Sequence, residues 1–231
     1  MAKIKIARKQ WHQIFAPKIF NNVALGETYV YEPQQMIGKT LRKNLMELTN
    51  DTKKQNMNVN FKVINVQNDK ALSEVVGCEI TASSVKRMVR RNIEKISMSF
   101  LCKTSDNKHL IVKPLFITKS ATKGSVAAKI RKTAQEFAVK YVEAITYDNF
   151  VNDLITHKLQ NSLRGTLNSI YPLRLCEIRS MQLVDLEKRA QNKEKGKKQS
   201  RAEKNSAKKK EKRKETSVSK EKEEISAEVA A

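Results

Sequence analysis

Clusters of basic side chains are the feature of this sequence whose residue types and spacing suggest chemistry. One cluster lies in a helix predicted from about residue 83 to 95, which Thr81 or Ser83 would cap. Its polar side carries Lys86, Arg87, Arg90 and Arg91. Like charges four residues apart destabilise an isolated helix by about 0.2–0.5 kcal/mol, and a phosphate backbone lying against them would reverse that sign. The cluster predicts phosphate contact, and a merely solvated helix face is the alternative.

A second basic cluster surrounds the start of the next predicted helix, which runs from about residue 125 to 145. A polar segment, residues 119–124, precedes this helix. The cluster consists of Lys119, Lys123, Lys129, Arg131 and Lys132. Backbone N–H groups at a helix N-terminus attract anions, so these N–H groups and the basic side chains can bind a phosphate together.

A third group of cations lies in the N-terminal arm and consists of Lys3, Lys5, Arg8 and Lys9. It leads into Trp11, the only tryptophan of the chain. Trp11, Ile14 and Phe15 would share one face of a short helical turn. This spacing indicates that the arm docks on the body, and stacking of Trp11 on a nucleic-acid base is the alternative.

The residue types that usually carry catalysis or bind metals form no recognisable site in the sequence. The three histidines lie far apart and lack metal-ligand spacing with the three cysteines. No Ser/His/Asp or Cys/His signature is present. Gly38-Lys39-Thr40 resembles the end of a phosphate-binding loop, but Pro33 stands where that loop needs a glycine. We therefore predict no catalytic residue, no metal, no cofactor and no enzymatic activity.

The charge of the chain indicates a polyanionic partner. The sequence contains 46 Lys and Arg and 24 Asp and Glu, a net charge of +22. Residues 1–185 hold 30 basic and 15 acidic residues, so the predicted body is itself basic. Self-repulsion opposes compaction, and a nucleic acid would neutralise it. An anionic membrane is the second candidate partner. Membrane binding would need a helix with a large exposed apolar face, whereas the apolar stripes of the predicted helices are better used as core, so we expect no membrane partner.

Alternating apolar residues predict antiparallel hairpins and an α+β fold. One hairpin comprises residues 57–63 and 76–80 around a turn at 67–70, and the other comprises 96–102 and 110–117 around a turn at 105–107. Further strands are expected at 23–31, 40–48 and 173–184. Helices are expected at 125–145, 147–157 and 159–170, the last ended by Pro172. We predict a mostly antiparallel, barrel-like sheet with flanking helices.

Composition divides the chain into three predicted segments. They are a basic N-terminal arm (residues 1–20), an α+β RNA-binding body (residues 21–185) and a lysine-rich C-terminal tail (residues 186–231). The tail has almost no apolar residues, so it cannot bury enough surface to offset its ordering entropy. We expect it to be largely disordered, or to form a lone helix that becomes ordered on RNA.

Short motifs of one known pattern run through most of residues 1–185. They are Trp11-His12, Ala16-Pro17, Gly26-Glu27-Thr28, Gly38-Lys39, Leu45-Met46-Glu47-Leu48, Phe61-Lys62, Gly77-Cys78-Glu79-Ile80-Thr81, Arg87-Met88-Val89-Arg90-Arg91, Ile130-Arg131-Lys132 and Ser169-Ile170-Tyr171-Pro172-Leu173. In this order and spacing they resemble the archaeal and eukaryotic family of small-subunit ribosomal proteins called S-one-e or S-three-a-e. Each motif is weak alone, and the ordered set is specific.

The resemblance implies a structural and assembly protein of the small ribosomal subunit, not an enzyme. Such proteins lie on the platform near the messenger RNA exit, where they contact the 3′ end of the small-subunit RNA and neighbouring ribosomal proteins. No homo-oligomer is expected. A cytoplasmic location in ribosomes also fits three sparse cysteines and an N-terminus without a sustained apolar run. A basic DNA-binding or chromatin-type protein is the alternative, which explains the charge but not the ordered motifs.

Overall fold

The computed structural model describes residues 8–67 and 70–184. In chain order the strands are β1 (Gln10–Phe15), β2 (Ala24–Val30), β3 (Thr40–Asn44), β4 (Met57–Gln67), β5 (Lys70–Ile80), β6 (Lys95–Ser97), β7 (Phe100–Lys103), β8 (His109–Thr118) and β9 (Leu173–Leu183). The α-helices are α1 (Leu45–Thr49), α2 (Ala82–Met88), α3 (Gly124–Glu143), α4 (Tyr147–Ile155) and α5 (Lys158–Asn168). The predicted α+β class is confirmed. The tail, Lys3, Lys5 and the turn residues Asn68 and Asp69 lie outside the described residues.

The strands form one sheet in the order β2-β1-β5-β9-β8-β6, with β3 and β4 branching from β5 and with β7 on β8. All pairs are antiparallel except β1 with β5. One edge of β5 pairs with β4, whereas the other edge pairs with β1 near its start and with β9 near its end. The sheet is therefore mostly antiparallel as predicted, and among the described residues its pairings stay open rather than closing into a barrel.

Both predicted hairpins are present, and their alternating residues build the core. In β4, Val59, Phe61 and Val63 are fully buried while the residues between them are partly exposed. This alternation places one face of the β4–β5 hairpin in the core. The β7–β8 hairpin turns where the sequence predicts, and Asn107 adopts the left-handed conformation that the turn requires.

Two helical predictions are wrong, and the strand expected at 40–48 ends at Asn44, where helix α1 begins. The segment of Trp11 forms strand β1, in which Trp11 pairs with Tyr29 of β2 and is 67 % exposed while Ile14 is buried. Helix α2 ends at Met88 instead of continuing to about residue 95, because Val89 is already extended. Arg90 and Arg91 therefore lie in the connection to β6, and the expected i,i+4 spacing of the basic residues does not exist in the fold.

The three longer helices were predicted close to their observed limits, and they pack on the sheet. Helix α3 buries a stripe at helical spacing, and α5 contacts β9. The buried stripe consists of Ala127, Ile130, Ala134, Ala138 and Val142. Val126, Phe137 and Tyr141, which the sequence pattern also assigns to this stripe, are only partly buried at its margin.

Candidate nucleic-acid interface

The topology of the sheet brings two of the predicted basic clusters to one end. Strands β5 and β8 both run antiparallel to β9, so their C-terminal ends point the same way. Helix α2 follows β5, residues 119–123 follow β8, and β6 begins at the same end because it runs antiparallel to β8. We call this region the basic end and define it by Lys86, Arg87, Arg90, Arg91, Lys95, Lys119, Lys123 and Arg174.

Hydrogen bonds around Glu94 fix the two loops of the basic end side by side. The Glu94 N–H donates to Thr118 Oγ1 at 3.1 Å, and the Thr118 N–H donates to the Glu94 carbonyl at 3.2 Å. The Glu94 carboxylate accepts from the Thr122 hydroxyl in the segment that leads to α3. The connection that carries Arg90 and Arg91 is thus joined directly to the segment between Lys119 and Lys123, and the two sets of cations are held as one surface.

Helix α2 contributes the next part of this surface. Lys86 and Arg87 lie in its last turn and are exposed. One guanidinium nitrogen of Arg87, Nη2, donates to Asn56 Oδ1 at 3.3 Å, which orients the side chain without neutralising it. Arg90 and Arg91 follow the helix and are also exposed.

The N-terminus of α3 adds backbone donors to the cations of the basic end. Lys123 is the N-cap residue, with extended backbone angles, and the first turn contains no acidic residue. The first N–H groups of a helix have no partner within the helix and carry partial positive charge. The exposed cationic side chains on the following turns are Lys129, Arg131 and Lys132. Cationic side chains and a helix N-terminus therefore meet here, as the sequence predicts.

The cations predicted to bind phosphate are not neutralised within the described part of the chain. Eleven of the thirteen fall in residues 8–67 and 70–184, and none of them lies within 4.0 Å of a carboxylate there. The five ion pairs of Lys or Arg that do form there use other residues, for example Arg42 with Glu79 and Lys108 with Glu74. Surface ion pairs contribute little stability, so these cations need no internal partner and their charge remains available to an external anion.

Two cations of the basic end were not identified from the sequence. Arg174 lies between two β9 residues that pair with the end of β8, and Lys95 begins β6 opposite Ile117. Both are exposed. No local sequence signal marks them, because their position depends on strand pairing between distant segments.

The described cations of the N-terminal arm lie elsewhere. Strand β1 runs parallel to β5 and meets it only at the first residues of β5, so Arg8 and Lys9 lie towards the opposite end of the sheet. The Lys9 ammonium lies 5.0 Å from the centre of the Tyr31 ring and 5.8 Å from that of Tyr29. The structure thus separates the arm from the other two clusters.

The three cysteines, which could carry other chemistry, are placed in the core. Cys78, Cys102 and Cys176 are buried free thiols, and burial raises the pKa of each to about 12, so they remain protonated and weakly nucleophilic at neutral pH. Within residues 8–67 and 70–184, no group of three or more His, Cys, Asp or Glu side chains could hold a metal ion. In the same residues, no helix is long and apolar enough to cross a membrane.

Comparison with known proteins gives a consistent match over the described body. Residues 2–186 match the model of the Ribosomal S3Ae family. The chain is 31 % identical to small ribosomal subunit protein eS1 of Halorubrum lacusprofundi over 176 residues, which cover 76 % of this chain and 82 % of that protein. It is 30 % identical over 182 residues to the protein of the same name from Saccharolobus islandicus, covering 79 % and 88 %.

Proposed function

Because the chain belongs to the Ribosomal S3Ae family, we propose that it is a structural protein of the small ribosomal subunit that binds ribosomal RNA through its basic end. The proposal includes a place on the platform near the messenger RNA exit and the 3′ end of the small-subunit RNA. It also includes neighbouring ribosomal proteins as partners, a role in subunit assembly, and a location in cytoplasmic ribosomes. No enzymatic step and no cofactor is part of it.

One observation carries the choice of surface. The segments 86–95 and 119–123 together with Arg174 contain eight Lys and Arg and one carboxylate, Glu94, which is already engaged by Thr122. Cations that neutralise phosphates release condensed counterions, which favours binding at low salt. The basic end is therefore a surface for a phosphate backbone, and the α3 N-terminus can bind a phosphate through its N–H groups.

Charge reversal at the basic end tests this proposal. The change Arg90→Glu with Arg91→Glu alters two exposed side chains without ion-pair partners in the described residues, so the melting curve should stay close to that of the parent protein. Incorporation into small subunits, measured by sedimentation through a sucrose gradient, should fall strongly. Affinity for a fragment of small-subunit RNA should fall as well.

A control with the same change in net charge is available at exposed positions away from the basic end. Lys103→Glu with Lys140→Glu makes the same change in net charge at exposed positions. Lys103 pairs with the first residue of β8 and Lys140 lies in the last turn of α3, so both are far from the basic end. Equal loss of incorporation in both double variants would show that net charge alone matters. Sedimentation of the parent chain away from ribosomes, with chromatin-like DNA, would contradict the proposal itself.

A further inference from the structure

Strands β1 and β2 expose an aromatic surface that the basic end does not explain. Trp11 is 67 % exposed, and Tyr29 and Tyr31 are each 50 % exposed. The Trp11 and Tyr29 rings lie 5.0 Å apart between centres at an angle of 37°. Large exposed aromatic groups in one place usually mark a binding site, since a soluble protein gains by burying them. We call Lys9, Trp11, Tyr29 and Tyr31 the aromatic patch.

The strand register explains why these side chains share one face. Trp11 pairs with Tyr29, which puts both rings on one face of the two strands. Lys9 and Tyr31 lie just outside the strands, and the contacts of the Lys9 ammonium place them beside this pair. The opposite face of β1 is buried through His12 and Ile14, so the fold cannot turn Trp11 inward. Among the described residues, β2 is the last strand on this side of the sheet, which places the patch at an edge.

The charge around the patch favours a nucleic acid over an apolar partner. The Lys9 ammonium is held over the Tyr29 and Tyr31 rings at 5.8 and 5.0 Å, an arrangement typical of cation–π contacts. Glu27 lies further along the same face and accepts a hydrogen bond from Gln13 at 3.3 Å. A bound strand must therefore direct its phosphates towards Lys9, away from the Glu27 carboxylate.

From this geometry we propose that the aromatic patch stacks unpaired bases of single-stranded RNA, with Lys9 contacting a phosphate. The inference deepens the proposed function, on which it rests, and assigns a second RNA contact far from the basic end. Exposed aromatic side chains on a sheet accept bases of any type because every base has a π-face. Paired bases in a duplex cannot reach the rings, so the patch discriminates single strands from duplexes.

The single tryptophan makes the test specific to the site. We would titrate the full chain, at one fixed salt concentration, with a single-stranded nine-nucleotide adenylate RNA and follow Trp11 emission. The expected result is saturable quenching by the single strand, little quenching by a duplex of equal length and none by inorganic polyphosphate. Equal quenching by polyphosphate would show that the signal reports charge alone and would overturn the proposal.

Variants separate stacking from a structural effect. Tyr29→Ala keeps the reporter and should lower affinity for the adenylate strand about 5- to 100-fold, as loss of one stacking partner predicts. Trp11→Phe and Trp11→Ala remove the fluorescent reporter, so their RNA affinity is measured by fluorescence anisotropy of labelled RNA. Trp11→Phe should retain most of the affinity that Trp11→Ala loses. Leu101→Ala, which removes an exposed apolar side chain on β7, is the control and should bind like the parent.

The outcome also distinguishes this inference from the proposed function. If Tyr29→Ala and Trp11→Ala bind RNA like the parent while Arg90→Glu with Arg91→Glu does not, the aromatic patch is no RNA site and the basic end stands. If Tyr29→Ala and Trp11→Ala leave RNA affinity unchanged but reduce incorporation into subunits, a protein partner covers the patch, and the stacking proposal is wrong.

Discussion

Glu177 provides a sharp test of the packing between β9 and the start of α5. Its side chain is 19 % exposed, and its Oε2 atom lacks a hydrogen-bond partner among the described residues. The nearest basic atom is His157 Nδ1 at 3.6 Å, and Leu45, Met57 and Ile80 line the same cavity. Burial raises the pKa of Glu177 from its ordinary 4.5 to about 7.

The direction of the pH effect follows from proton linkage. The folded protein binds the Glu177 proton more tightly than the unfolded chain does, so this carboxyl favours folding at low pH. This stabilisation decreases as pH rises from about 4.5 to about 7 and is absent above that range. The difference between these two pKa values corresponds to about 3 kcal/mol.

His157 acts in the opposite direction and must be separated from Glu177. Burial and the nearby charge of Lys54 lower the pKa of His157, so its contribution to stability increases as pH rises towards the ordinary pKa of 6.5. The contact between His157 and Glu177 is therefore one between weakly charged groups and not a strong ion pair. Because the two side chains are in contact, their titrations are coupled, and the same comparison in a His157→Asn background separates them.

We expect Glu177→Gln to match the parent at pH 4 and to be more stable by up to about 3 kcal/mol at pH 8, because glutamine carries no charge to bury. For a domain of this size that difference corresponds to roughly 6–12 °C in melting temperature. Thermal melts of the full chain from pH 4 to 8 measure it. Glu136→Gln on the exposed side of α3 is the control and should stay within about 0.5 kcal/mol. If the difference in unfolding free energy between Glu177→Gln and the parent is the same at pH 4 and pH 8, the reasoning is refuted.

Three further predictions test other parts of the molecule. Gly77→Ala should destabilise the protein by about 1–3 kcal/mol, because its Cβ would lie 2.5 Å from the Met181 carbonyl oxygen. Gly165→Ala on the open surface of α5 should stabilise the protein by about 0.5–1 kcal/mol. Chemical denaturation of both variants measures these changes. RNA affinity should fall with salt at a log–log slope of roughly −0.7 to −0.9 per phosphate contacted, and a flat salt titration would contradict the basic end as a phosphate surface. Deleting residues 191–231, which carry 14 basic and 8 acidic residues, should leave the melting curve unchanged and lower RNA affinity only modestly; loss of most binding would assign recognition to the tail.

The sequence predicts those elements whose pattern is long enough to be unambiguous. The alternation through β4 covers a full strand, and the apolar stripe of α3 continues for five turns, so their types and approximate limits follow from periodicity. The segment of Trp11 spans only six residues, and the spacing of Trp11, Ile14 and Phe15 favours a helix although the segment forms a strand. Pairing with β2 decides between the two, and that contact is not local.

Helix α2 shows the same limit at an element boundary. Apolar residues from Val85 to Ile96 continue at helical spacing, yet Ile96 belongs to β6 and pairs with Phe116. Asn92 adopts a left-handed conformation in the connection, which interrupts any helix there. Strand pairing over a distance of 20 residues therefore overrides the local pattern, and Arg90 and Arg91 leave the helix while remaining exposed.

Which cations lie together depends on topology more than on sequence position. Lys86 and Lys119 are 33 residues apart, and both lie beyond the C-terminal ends of strands that run antiparallel to β9 and so point the same way. The Glu94–Thr118 hydrogen bonds then lock the connecting loops together. Collecting like charges in this way lowers the stability of the isolated protein through self-repulsion. Among the described residues the fold gains little in return, since none of these cations forms an ion pair there and Arg87 alone donates a side-chain hydrogen bond, to Asn56. A phosphate backbone turns the same repulsion into binding free energy, so the basic end is better explained by an external polyanion than by the stability of the fold.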